Sequence, residues 1–144
     1  MRSRCIITSE LDPAALRAEL SYVAEYFAAR AQVSCKVLFG FAWGNEYYVG
    51  DWIAEEIPLD SVAAKTRQVE DSGLGCIGRD DLYVTVSGLE FQFCHESDLH
   101  LRFDEPNDAV EHFFSRWGGL GFRPTEWLCD GKEVPETQVR AYVA

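Results

Sequence analysis

Residues 82–103 read LYVTVSGLEFQFCHESDLHLRF, and this stretch decides the fold. Leu82, Val84 and Val86 alternate with Tyr83 and Thr85, the period of a strand with one buried face. Ser87-Gly88 supplies a tight turn, and Leu89 to Cys94 returns with the same alternation. After a polar corner at Glu96-Ser97-Asp98, Leu99 to Phe103 repeats it. Three short strands joined by tight links predict an antiparallel meander.

Working outward, Glu105-Pro106 marks the start of a helix whose apolar stripe is Val110, Phe113, Phe114 and Trp117, with Gly118-Gly119 as its stop. Beyond it, Trp127-Leu128-Cys129, the turn pair Asp130-Gly131 and Val134 suggest a closing hairpin. On the other side, Pro58-Leu59-Asp60-Ser61 opens a helix with Val62, Ala63, Thr66 and Val69 on one face, ended by Gly73 and Gly75. Val33 to Ala42 is rich in β-formers. With the turn Gly44-Asn45 and Tyr47-Tyr48-Val49 it predicts a hairpin. Asp12-Pro13 is an N-cap acceptor followed by Pro at the first helical position. Leu16, Leu20, Val23, Phe27 and Ala31 then recur at helical spacing, with Arg17, Glu19 and Glu25 off that stripe. Ser3 to Thr8 reads as a first strand.

The resulting order, β-α-β-β-α-β-β-β-α-β-β, lacks the steady alternation of a parallel doubly wound sheet. The expected class is α+β, one mostly antiparallel sheet with about three helices packed on it. No linker or repeat divides residues 1–144, so a single domain is expected. Leu20, Phe27, Phe93, Phe113 and Trp117 are the expected core.

Composition narrows the function classes. The 144 residues are 47% apolar with nine Phe, six Tyr and four Trp, enough for a core without disulfide staples. No run of about 18 apolar residues exists, and the N-terminal apolar run stops at Thr8, too short for a signal-peptide core. A cytoplasmic protein without a membrane partner is expected. Five scattered cysteines without a Cys-x-x-Cys pair fit buried, reduced thiols. The net charge of −11 is concentrated: residues 41–111 hold sixteen acidic and four basic groups. Such a field repels nucleic acid and speeds encounter with a basic protein partner.

Candidate catalytic groups are few. A nucleophilic thiol needs a base in hydrogen-bond reach. Cys94 and His95 are neighbours on an expected strand, where successive side chains point to opposite faces, so they are not expected to meet. Cys94, His100 and His112 form a conceivable zinc set, but their spacing matches no familiar pattern. Gly73-Leu74-Gly75-Cys76-Ile77-Gly78 has the letters of a phosphate-binding loop in the wrong order, after a helix and before a strand. The acidic pairs Glu55-Glu56, Glu70-Asp71, Asp80-Asp81 and Asp104-Glu105 read as solvated loop or cap residues. No catalytic residue, cofactor site or metal site is therefore expected, and the chain is not expected to be an enzyme.

What goes beyond the needs of the fold is a partner surface. Glu96, Asp98, Asp104, Glu105, Asp108 and Glu111 stand against Arg102 alone, and Trp43 and Trp52 lie in an aromatic stretch flanked by acids. Aromatic anchors ringed by charge are typical of binding hot spots.

The stretch from Phe91 to Leu101 (FQFCHESDLHL), followed by Phe113-Phe114-Ser115-Arg116-Trp117, resembles small acidic bacterial immunity proteins of polymorphic or contact-dependent toxin systems. The likeness covers about residues 81–117. It implies a non-enzymatic cytoplasmic protein that neutralises a toxin domain, such as a nuclease, by covering its basic active site. The alternatives are a small cytoplasmic enzyme with an unrecognised pocket and a scaffold subunit of an intracellular complex.

Overall fold

The computed structural model describes residues 3–40, 53–129 and 135–143. In chain order the described elements are β1 (Arg4–Ile7), α1 (Pro13–Ala28), β2 (Ser34–Phe39), β3 (Glu55–Pro58), a single 3-10 turn (Leu59–Ser61), α2 (Val62–Asp71), β4 (Leu82–Val86), β5 (Leu89–Phe93), β6 (Leu99–Phe103), α3 (Asp108–Gly119), β7 (Thr125–Leu128) and β8 (Thr137–Ala141). The strands form one sheet in the order β3-β2-β4-β5-β6-β1-β7-β8, and every neighbouring pair is antiparallel. The fold is α+β, as the sequence predicts, and the meander over residues 82–103 and the three described helices stand where they are expected. Tyr47 to Val49 and the turn Asp130-Gly131 lie outside the described residues. The second strand of the first hairpin is Glu55–Pro58, and the last strand lies beyond Val134.

Strand alternation sorts the side chains. Leu82, Val84, Val86, Leu89, Phe91, Phe93, Leu99, Leu101 and Phe103 face one way, joined by Val37, Phe39 and Ile6. The apolar stripes of all three described helices pack on that face. Phe113 sits at its centre, with ring centroids of Tyr26 and Phe91 at 5.0 Å and of Trp117 at 5.7 Å. Leu20, Phe27, Phe93, Phe113 and Trp117 are all buried, as expected.

Helix ends follow capping chemistry. Asp12 accepts from the Ala15 N–H at 2.8 Å at the start of α1, ahead of Pro13. At α3 the cap is Asn107, which accepts from the Val110 N–H at 2.9 Å, so the helix begins two residues later than the Glu105-Pro106 signal suggests. Gly118 and Gly119 are helical, and the chain turns at Gly121 (φ 79°). Gly118 is needed for another reason: a Cβ there would overlap the Tyr142 ring.

One expectation about α1 fails. Glu19, placed off the apolar stripe, is only 2% exposed. It takes a two-pronged ion pair from Arg116 (3.0 and 2.7 Å) and the Trp117 indole N–H at 2.8 Å. A buried carboxylate needs such partners, and here they come from a helix almost a hundred residues away.

Candidate functional site

The sheet face away from the helices is ordered by register into cross-strand rows. One row runs Glu56, Lys36, Thr85, Glu90, Arg102, Cys5, Trp127, Gln138 across all eight strands. The next contains Leu38, Tyr83, Gln92, His100, Ile7 and Thr125. Arg102 donates to Gln92 at 2.7 Å and to Glu90 at 3.3 Å. Gln92 in turn donates to Asp81 at 3.0 Å and to the Tyr83 hydroxyl at 3.3 Å. This chain of polar contacts leads to the turn that joins β5 to β6.

That turn is built by local bonds. Cys94 N–H donates to the Asp98 carbonyl at 2.9 Å, and Ser97 N–H to the Cys94 carbonyl at 3.0 Å. Ser97 takes a φ of 69°, its hydroxyl donates to the Gly78 carbonyl at 2.8 Å, and its own carbonyl accepts from Leu11 N–H. The turn is therefore tied to two other segments.

Two sets of metal-ligating side chains meet there: Asp81, Cys94 and His95, and Cys94, Asp98 and His100. In each set the ligating atoms lie within 4.8 Å of one another. His95 Nδ1 is 3.7 Å from Cys94 Sγ, so the two residues expected to point apart meet. The reason is local: β5 ends at Phe93, and strand alternation has no hold on a residue in a turn. His112 is not part of either set. It lies on α3 against Tyr22, whose hydroxyl is 2.6 Å from its Nε2, and burial together with Arg30 and Arg116 lowers its pKa.

The geometry does not make a nucleophilic triad. In a triad the imidazole turns one nitrogen to the nucleophile and the other to the carboxylate. Here His95 Nδ1 is shared between Cys94, at 3.7 Å, and Asp81, whose two oxygens are each 3.2 Å away, while Nε2 lies 3.6 Å from the exposed Glu96 carboxylate, too far for an orienting hydrogen bond. Burial pushes the Cys94 thiol up to about 12, and Asp98 and Asp81 add to the shift against a lowering contact from the Glu96 backbone. Among the described cysteines Cys5 and Cys35 are likewise pushed up by burial, to about 12 and about 11. Unactivated buried thiols fit the expectation of reduced cysteines.

The acids sort differently from what the sequence suggests. Asp81 is fully buried and Asp80 nearly so. Asp80 accepts from Cys76 N–H at 2.9 Å, Glu70 from Ile77 N–H at 3.2 Å, and Asp81 from His95 N–H at 2.8 Å. These are inward acceptors that hold the glycine-containing link between α2 and β4, where solvated loop residues were expected. Unmet backbone donors in a half-buried connection call for them.

Five of the six acids expected to face a partner divide into two groups, and the sixth, Glu111, lies on α3. Glu96 and Asp98 lie at one end of β6, and Asp104, Glu105 and Asp108 at the other, about 17 Å of strand away. Asp98 pairs with His100 at 3.0 Å, Glu96 lies 3.6 Å from His95, and Glu111 is clamped by Arg140 at 3.0 and 2.8 Å. Asp104, Glu105 and Asp108 are exposed with no ion pair among the described residues. Trp43 and Trp52 lie outside the described residues. A groove of about 270 Å³ between α1 and the start of α2 carries Ser21, Glu25 and Asp60 among alanines and Leu59.

Among the described residues no helix is long and apolar enough to cross a membrane. Comparison with protein-family models, with curated proteins and with solved structures returned no match.

Proposed function

We propose that this chain acts by binding a basic protein surface, most concretely as a cytoplasmic immunity protein that covers the active site of a bacterial toxin domain, with a nuclease the type that fits its charge. The observation that supports this reading best is the exposed charge of Asp104, Glu105 and Asp108, which has no ion pair among the described residues. These carboxylates sit on the four-residue link 104–107 and the first turn of α3, between a central strand and a packed helix. A rigid acidic segment of this kind associates quickly with a basic groove, because the field guides encounter and little ordering remains to be done. Glu96 is a further exposed acid, at the far end of β6. The charge available to a partner is smaller than the six residues suggest, since Asp98 and Glu111 are already engaged.

The test is stopped-flow association with the toxin encoded beside this gene, at several salt concentrations. Charge screening at physiological salt shortens the field to about 8 Å, so the association rate should fall with salt while dissociation changes less. Reversing Asp104, Glu105 and Asp108 to Lys should slow association, and reversing Glu10 and Asp71, also exposed, should change it far less. Circular dichroism must show the triple variant folded, because lysines at the start of α3 oppose its dipole. A rate indifferent to salt in a folded protein would remove this surface from the account.

A second reading, a small enzyme, draws on one observation: ligating groups flank the Cys94 thiol on both sides. An activity that needs added zinc and is lost in Cys94→Ser, with partner binding intact, would favour it.

A further inference from the structure

The Cys94 turn carries a feature that partner binding does not use. Asp98 Oδ1 and His100 Nδ1 are both buried, and neither has a hydrogen-bonding partner among the described residues. Leaving a polar atom buried and unpaired costs about 1–3 kcal/mol, and two in one cluster ask for an explanation. Both belong to the same ligand set, with Cys94 as its third member.

From this juxtaposition we infer that Cys94, Asp98 and His100 form a binding site for one zinc-type divalent ion. The spacing suits it. Bonds of about 2.0–2.3 Å in a tetrahedral site place ligand atoms about 3.3–3.8 Å apart. The three ligating atoms lie within 4.8 Å of one another, with His100 Nε2 and Asp98 Oδ2 at 3.0 Å, so the site is close to that spacing before any ion enters. The donor types select the ion. Thiolate and imidazole favour zinc and its neighbours, whereas calcium and magnesium seek oxygen alone. On binding, the Cys94 S–H bond breaks as the metal–sulfur bond forms, and the proton leaves to solvent. Water fills the fourth position.

The rival set shares Cys94 but fits less well. Asp81 is already satisfied by Gln92 and by the backbone and ring of His95, and His95 is 43% exposed. Moving Asp81 to a metal would break the contacts that hold the start of β4. Asp98 and His100 would give up the 3.0 Å contact between their own Oδ2 and Nε2, and each has a further buried atom, Oδ1 and Nδ1, without a partner among the described residues.

The site stands apart from the binding proposal and is tested without a partner. The whole chain, reduced and stripped with a chelator, is titrated with cobalt(II) and then zinc(II). A thiolate-to-cobalt charge-transfer band saturating at one ion per chain, and bleached by zinc, is expected. Cys94→Ser should abolish the band. Asp98→Asn and His100→Gln should each weaken binding by about 10–100-fold, while Asp81→Asn and His95→Gln leave it unchanged. Should Cys94→Ser fail to fold, X-ray absorption on the zinc-loaded parent should show one sulfur neighbour. An environment of oxygen and nitrogen only, a band that persists in folded Cys94→Ser, or binding lost in the Asp81 and His95 variants but kept in the Asp98 and His100 variants would overturn the assignment.

Discussion

Leu99, Leu101 and Phe103 share a strand with His100 and Arg102, yet the two sets of side chains meet opposite surroundings. The first three enter an aromatic core under three helices. The other two enter rows of hydrogen bonds and ion pairs that run from strand to strand. On one face, stability comes from close packing, which any truncation damages. On the other, it comes from satisfying polar groups, which contributes little while partners are intact and costs much when one is removed. The same backbone therefore supports one face intolerant of lost volume and one intolerant of lost partners.

The sharpest way to break that contrast is Phe113→Ala. Removing the ring at the centre of the core should cost about 3–5 kcal/mol, read as a lower denaturant midpoint at unchanged slope. A midpoint equal to the parent's would mean that the core is not organised around α3. The next probe is the polar exception inside the covered layer. Glu19→Ala strips Arg116 and the Trp117 indole of their acceptor and should cost about 3 kcal/mol, with rescue expected from Glu19→Gln only in part. A loss as small as that of a surface pair would place Glu19 outside the buried layer.

On the polar face, Arg102→Met keeps the stem but removes the donor to Gln92 and Glu90. A loss of about 1–2 kcal/mol is expected, and a double-mutant cycle with Gln92→Ala should show that the two effects do not add. Strict additivity would mean that the row is not a network. The smallest effect belongs to the rim. Burial raises the Glu70 carboxyl, but the hydrogen bond and charge of Arg17 and the Ile77 N–H outweigh it and hold the group below its ordinary 4.5. Its stabilising contribution is complete above that value and is lost as pH falls through the lowered one. Arg17 is 41% exposed, so Arg17→Met should cost less than about 1 kcal/mol at neutral pH. The difference between parent and variant should shrink in acid. A gap that widens below pH 4.5 would reverse the sign and refute the pairing.

These contrasts also explain what could be read in advance. Period two in residues 82–103 and period 3.6 in 13–28 and 108–117 are properties of short stretches, so the element order and the core aromatics were legible. Glu19 was not, because its partners Arg116 and Trp117 belong to another helix and nothing near residue 19 announces them. Asp80 and Asp81 look like surface acids until the backbone donors they satisfy are placed. Cys94 was misread because its neighbour His95 was assigned to a strand that ends one residue before Cys94. A motif signal for the Cys94, Asp98, His100 set did exist in its close spacing, but only the turn brings the three together. The acidic stretch was visible as composition, whereas its division between the two ends of β6 required the strand to be laid down.

The position of β1 has a consequence for how the protein is made. Ile6 pairs with Leu101 on one side and Glu126 on the other. A ribosome adding about 5–20 residues per second needs roughly 5–20 s to supply the first of those partners. Through that interval β2, β3, β4 and β5 can assemble as a nascent sheet, while Cys5, Ile6 and Ile7 wait as an apolar segment with both edges unpaired. A chain halted after Gly119 would hold β1 against β6 with its outer edge bare, a template for pairing with a second copy. Such a fragment is expected to self-associate in sedimentation while the whole chain does so less. Pairing of β7 thus covers the outer edge of β1, and with β8 added beyond it the bare edge moves from an apolar strand to a mostly exposed one.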